Sequence, residues 1–278
     1  MNWSDYEENV YQECVRVFGN QTLKNVHIKG RYSNRQRQID VYIPIIQIEG
    51  KNISIAVDAK HYRNKVDIKT VESFIGMLQD VNVSKGLIVS SKGYTKTAIQ
   101  RAQNAPDEVQ VEILSVEELE TLQSVGVIIY SGKFGFAIKS PFGWIIDGTH
   151  RDYMVATVYR AGLNSLDQAG EEKEFMYLNI TPKSKTILGI PELLQKQQEL
   201  EISQIKSVSV EVQKSTDNII IRYLRTPSYP TVEITGFKEF KDCILFCVLF
   251  CPDIMIKRDV EKLKYILNSA IPISVNHS

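Results

Sequence analysis

Hydrophobic and polar positions along the chain fall into two regimes. In the first, helical and strand periods alternate. Tyr6, Val10, Cys14 and Val17 recur at helical spacing and predict a helix from Ser4 to about Phe18, with Gly19 after it. A short strand is expected over Asn25 to Lys29. Two β-branched runs, Ile39 to Ile48 and Ile53 to Val57, flank Glu49-Gly50-Lys51-Asn52, the signature of a hairpin turn. Asp67 caps a second helix whose stripe is Ile68, Val71, Phe74, Ile75 and Leu78. A buried strand over Gly86 to Ser90, a helix capped by Thr95, a strand over Val109 to Leu114 and a helix from Ser115 to about Gln123 follow. Strands alternating with helices after a hairpin predict an α/β sheet with right-handed crossovers.

The second regime begins after Ser124-Val125-Gly126, which is the expected domain boundary, giving domains 1–124 and 125–278. Strands are expected over Val127–Tyr130, Phe134–Lys139, Met154–Tyr159, Phe175–Ile180, Val208–Val212, Ile219–Tyr223, Thr231–Thr235 and Cys243–Phe250, with helices over Ile190–Ser203 and Arg258–Ser269. Many hairpin-like strands and few helices predict an α+β domain with a mainly antiparallel sheet.

Two acids break the apolar pattern of the first hairpin. Asp40 interrupts the first run, and Asp58 ends the second, followed by Ala59 and Lys60. Side chains alternate along a strand, so Asp58 and Lys60 share a face. Pairing about the turn brings Asp40 opposite this region. Two carboxylates so placed can hold Mg²⁺, which prefers oxygen ligands and retains waters. Such a metal lowers the pKa of bound water and stabilises phosphoryl charge, and a neighbouring lysine orients the water or offsets charge.

The order of these features resembles the PD-D/E-x-K nuclease superfamily. Tyr6-Glu7 on a first helix, a basic loop, Gln38-Ile39-Asp40-Val41, Val57-Asp58-Ala59-Lys60, Lys85 to Ser90 and Gly93-Tyr94-Thr95 before Ala98 and Ala102 resemble its Mrr-like restriction endonuclease branch over residues 4 to 105. The branch more often carries Glu where this chain has Asp58. The resemblance implies a restriction-endonuclease-like core and Mg²⁺- or Mn²⁺-dependent cleavage of DNA. Asp40, Asp58 and the Ala59 carbonyl would be metal ligands and Lys60 would position water, assisted by Glu7 and Gln79. Restriction of foreign DNA in the cytoplasm is the implied setting. A nuclease-fold module that only binds nucleic acid or a partner, and a nuclease acting on junctions or ends, remain open alternatives.

Glu7 has a second reading, because Ser4-Asp5-Tyr6-Glu7 is also a capping box. The loop from Lys29 to Arg37 holds Lys29, Arg31, Arg35 and Arg37 with Tyr32 and no acid, which suits phosphate contacts; Arg63 and Lys65 are further candidates. Cys243, Cys247 and Cys251 share one strand face within an apolar run, and their spacing fits a core better than a zinc site.

Charge supports this division. Residues 1–105 contain 15 Lys+Arg and 10 Asp+Glu, a net of +5; the remainder contains 18 and 23, a net of −5. A nucleic-acid surface is thus expected on the first half, and recognition, regulation or assembly, including a homodimer or partner subunit, on the second. No apolar run reaches the length needed to cross a bilayer, no signal segment is visible, and four cysteines without paired spacing fit a reducing cytoplasm. Phe136, Phe142-Gly143-Trp144 and the closing Ile266-Leu267-Asn268-Ser269 resemble PsbP-type α-β-α sandwich domains over about 150 residues.

Overall fold

The computed structural model describes all residues except 1, 49–50, 107, 122–126, 162, 164, 205–208, 215–217, 227–230 and 275–278. The chain divides into two compact units, Met1–Gln123 and Ser124–Ser278. The expected boundary residues Ser124 to Gly126 lie outside the described residues.

The first unit runs α1 (Trp3–Phe18), β1 (Leu23–Lys29), β2 (Gln36–Ile48), β3 (Lys51–Lys60), α2 (Ile68–Val81), β4 (Lys85–Ser90), α3 (Lys96–Gln103), β5 (Gln110–Leu114) and α4 (Val116–Thr121). Its sheet has the order β1-β2-β3-β4-β5. The pairs β1–β2 and β2–β3 are antiparallel, and β3–β4 and β4–β5 are parallel. A hairpin can close with a tight turn, whereas each parallel step needs a helical crossover, here α2 and α3. Helix α2 packs with α3, and α1 packs with α4. Phe74, Ile75 and Leu78 of α2 join Ala56 and Ile88 of the sheet in one core. This is the mixed sheet flanked by helices expected of a restriction-endonuclease-like core.

The hairpin differs from expectation at its tip. Lys51 and Asn52 pair with Ile48 and Gln47 as strand residues, leaving only 49–50 between the strands. Cross-strand pairing satisfies their backbone groups, which outweighs the turn preference of Asn. A register shift between Ile43 and Ile46 brings Pro44 and Ile45 out of the ladder, as a proline without an N–H requires.

The second unit comprises β6 (Val127–Ser131), β7 (Phe134–Ile138), β8 (Trp144–Asp147), β9 (Ala156–Arg160), α5 (Leu166–Glu172), β10 (Phe175–Pro182), α6 (Ile190–Gln204), β11 (Ser209–Lys214), β12 (Ile219–Arg225), β13 (Val232–Glu239), β14 (Cys243–Cys251), α7 (Ile256–Ser269) and β15 (Ile271–Ser274). A seven-stranded antiparallel sheet has the order β11-β12-β13-β14-β10-β9-β8, and a three-stranded one the order β15-β7-β6. Strand β14 is buried on both faces. Leu245, Cys247, Leu249 and Cys251 join Leu263 and Ile266 of α7, while Ile244, Phe246 and Val248 join Ile190 and Leu193 of α6. All three cysteines of β14 are free and buried, as core residues. No helix among the described residues is long and apolar enough to cross a membrane.

Candidate active site

Strand pairing builds the acidic site. Val41 pairs with Val57, so the next antiparallel pair outward is Asp40 and Asp58. Parallel strand β4 backs them, with Ile88 beside Asp58 and Ser90 beside Lys60. The Asp40 Oδ2 accepts a hydrogen bond from the Ala59 N–H at 2.9 Å, which fixes this carboxylate across the ladder. Lys60 Nζ lies 2.6 Å from Asp58 Oδ1, with 20% and 19% of the two side chains exposed. The group therefore lies at the floor of a cleft of about 640 Å³ rather than in the sealed core. Trp3 of α1, Gln38 of β2 and Lys69 and Ser73 of α2 border the same cleft.

The electrostatics are those of acids under strain. Burial, the repulsion of Asp40 and a hydrogen bond between the two carboxyl groups push Asp58 up to about 7, against the pull of the Lys60 ammonium. For Lys60, burial works against the charged form, but the charge and hydrogen bond of Asp58 outweigh it and the pKa is raised. A cation beside Asp58 would offset the repulsion from Asp40.

Glu7 emerges from its two readings as a buried acid. Helix α1 starts at Trp3, and its capping box is Asn2 with Asp5: Asp5 N–H donates to Asn2 Oδ1 at 2.9 Å, and Asn2 N–H to Asp5 Oδ2 at 3.2 Å. Ser4 and Glu7 take no part in it. Glu7 is 6% exposed, and its Oε1 has no hydrogen-bond partner. Burial, then Asp40, raises its pKa, while Lys24 and Lys60 oppose the rise. Beside it, Tyr6 stacks on His61 with ring centroids 5.0 Å apart.

Gln79 is not brought to this site. It borders a second cavity, of about 660 Å³, together with Arg31, Tyr32 and Asp80. Helix α2 borders the acidic cleft with Lys69, Thr70, Ser73, Phe74 and Met77. Gln79 follows Met77 by two positions, about 200° around the helix, and so stands on the face away from the cleft.

The basic candidates divide. Lys29, Arg35, Arg63 and Lys65 are exposed. Arg37 Nε is paired with Asp80 Oδ2 at 2.7 Å, and Arg31 donates to the Gln79 carbonyl and to Asn82 Oδ1, both at 3.0 Å. Asp80 was not singled out from the sequence, although one signal was there. It stands in the last turn of α2, where the helix dipole disfavours an anion, so another partner must hold it.

Among the described residues, no group of three or more His, Cys, Asp or Glu side chains is placed to hold a metal ion. Asp40 and Asp58 nevertheless suit a hard cation that keeps most of its waters. Their mutual repulsion is what such a cation relieves.

The family model Mrr_cat, described as restriction endonuclease, matches residues 3–123. The match covers the first unit, less than half of the chain, and the mixed sheet flanked by helices of that unit is consistent with a restriction-endonuclease-like core. No curated protein matches the chain. A solution structure of cyanobacterial PsbP (CyanoP) from Synechocystis sp. PCC 6803 aligns at 12% identity over 54% of this chain and 96% of that chain, with a TM-score of 0.34.

Proposed function

We propose that this restriction-endonuclease-like unit is a divalent-metal-dependent DNA endonuclease, acting in restriction of foreign DNA in the cytoplasm. The observation that carries this reading is the Asp58–Lys60 contact of 2.6 Å at the floor of the cleft, with Asp40 anchored across the ladder by the Ala59 N–H. A module that only bound DNA would gain nothing from acids facing a polyanion.

Asp40 and Asp58 would hold Mg²⁺ or Mn²⁺. A strand residue directs its N–H and C=O toward the same neighbour, so the Ala59 carbonyl faces the Asp40 side and suits a third ligand. The bound metal would supply an activated water and neutralise charge on the phosphoryl oxygens. Lys60 does two things. Its ammonium favours the ionised form of Asp58, and its remaining donors orient a water or stabilise the phosphorane-like charge as water adds to phosphorus and the bond to the leaving oxygen breaks. Glu7, buried with an unsatisfied oxygen, would complete hydrogen bonds to metal-bound water. The exposed Lys29, Arg35, Arg63 and Lys65 would contact the DNA backbone.

The test is incubation of the full chain with plasmid DNA, with Mg²⁺, with Mn²⁺ and with EDTA. Cleavage should require the metal. Asp58→Ala and Lys60→Ala should each lower the rate by about 10³-fold or more while circular dichroism is unchanged, because such groups act as a unit. Full activity of Asp58→Ala overturns the assignment.

A further inference from the structure

We propose that Tyr32 is a base-stacking residue that selects DNA carrying unpaired nucleotides. This rests on the nuclease reading above and narrows its substrate to distorted or locally single-stranded DNA.

The loop that carries Tyr32 is built to hold it still. Gly30 N–H donates to the Arg35 carbonyl at 2.8 Å, and Asn34 N–H to the Gly30 carbonyl at 3.0 Å. From α2, the Asp80 carboxylate accepts the N–H groups of Tyr32 and Ser33 at 2.9 and 3.0 Å and the Ser33 hydroxyl at 2.5 Å. The Asp80 carbonyl accepts the Arg31 N–H at 2.8 Å. A Cβ at position 30 would collide with the Asp80 carboxylate, so this close approach requires glycine. The Arg31 guanidinium, fixed by its bonds to Gln79 and Asn82, lies over the Tyr32 ring at 4.6 Å from the centroid. The ring itself is 74% exposed.

Such ordering stabilises nothing the ring could bury in this unit. Fixing a loop costs conformational entropy; the Asp80 hydrogen bonds offset that cost for the loop backbone, and the exposed ring they hold in place is preorganised for a ligand. The surroundings state the ligand's chemistry. Lys29 and Arg35 are exposed on the same loop, which contains no acid, and the Asp80 charge is taken up by Ser33 and Arg37. The fitting partner is an anion with π faces. Every nucleobase has such a face, and stacking on an aromatic side chain is tolerant of sequence. In an intact duplex, both faces of each base are already covered, so only an unpaired nucleotide can take the position. Arg37 borders both the cavity that Tyr32 lines and the cleft holding Asp40 and Asp58, and so links the two.

The experiment is fluorescence anisotropy of the full chain in EDTA, where no cleavage occurs. The probes are a fully paired labelled duplex and the same duplex with an unpaired bulge. Tyr32→Leu should weaken binding to the bulged probe by about tenfold and to the paired probe by less than about twofold. Tyr32→Trp should restore it. The salt dependence should be unchanged in both variants, because the ring carries no charge. An equal loss on both probes, or no loss on the bulged probe, overturns the proposal. Binding is read without metal, so a failure of the nuclease reading appears in the plasmid assay and not here.

Discussion

Lys60 Nζ sits 2.6 Å from Asp58 Oδ1, yet Asp58 binds its proton more tightly than an ordinary aspartate does. An ammonium at that distance favours the carboxylate. The net rise means that burial and Asp40 outweigh it, and both of those are features a cation would correct. Metal binding therefore competes with a proton. The metal concentration needed for half-maximal activity should rise as pH falls below about 7. A metal titration of cleavage at several pH values checks this, and a pH-independent midpoint contradicts it.

The same shift has a consequence for stability without metal. Between 3.8 and about 7 the folded Asp58 holds a proton that the unfolded chain releases. Stability then falls as pH rises through that window. The raised pKa of Lys60 acts above its ordinary 10.5, outside the window. Asp58→Asn should abolish cleavage and gain stability relative to the parent between pH 5 and 7, by at most about 1.4 kcal/mol per pH unit. Urea unfolding in EDTA at both pH values measures the gap. A constant or shrinking gap shows that Asp58 is ionised throughout.

Asp80 gives the opposite sign. Hydrogen bonds from the Ser33 hydroxyl and N–H, then Arg37 and the Tyr32 N–H, hold its carboxyl well below the ordinary 3.8. Its contribution is present at neutral pH and lost as pH falls below that value. Asp80→Asn should melt lower than the parent at pH 7, and the difference should narrow in acid. Hydrogen exchange at the Tyr32 and Ser33 amides should accelerate in this variant. Unchanged protection of those amides means that the loop is held by its own turn.

Arg35 is exposed, and Arg37 is bound to Asp80. Replacing Arg35 with alanine should remove one phosphate contact, lowering the slope of log affinity against log salt by about 0.9. Arg37→Ala should weaken binding through the loop as well, with a larger loss than its share of the slope. Measuring affinity from low to moderate salt separates the two. An Arg35→Ala slope equal to the parent's moves the backbone contact to Arg63 and Lys65.

What the sequence disclosed followed from period and local chemistry. The hairpin, the placing of Asp40 opposite the Asp58 to Lys60 region and the caps Asp67 and Thr95 are local or near-local patterns, and the structure has them. What stayed hidden depends on distant neighbours. The Asp80 clamp spans 47 and 48 residues to Ser33 and Tyr32. Strand β15 contains Pro272, which argues against a strand anywhere but an edge, and β15 is the edge of its sheet. Strand β8 is 4 residues long and α5 is 7, too short for a period to show. At the first helix the sequence pattern puts the capping box at Ser4 and Glu7, but Asn2 with Asp5 takes that role, leaving Glu7 inside.

The division of labour between the halves is open to a direct test. Among the described residues, the buried cluster about α2 and α3 draws on residues 39 to 111 with Ile113 packed against it, and the two clusters of the second unit draw on residues 129 to 270 and 187 to 248. Each of these clusters lies within one unit, as folding alone requires. The acidic balance of the second half adds little affinity for a polyanion. Residues 1–124 should therefore form a folded fragment that keeps metal-dependent cleavage, with the remainder serving recognition, regulation or assembly. Cutting both strands of a duplex takes two sites, and a symmetric dimer supplies them. The cleavage rate and solution mass of the fragment, measured beside those of the whole protein, decide between these roles. A monomeric, nicking fragment next to a dimeric parent that cuts both strands assigns assembly to the second half. A fragment matching the parent in mass and rate assigns it recognition or control. An unfolded fragment shows that the first half depends on the second, which the separate cores argue against.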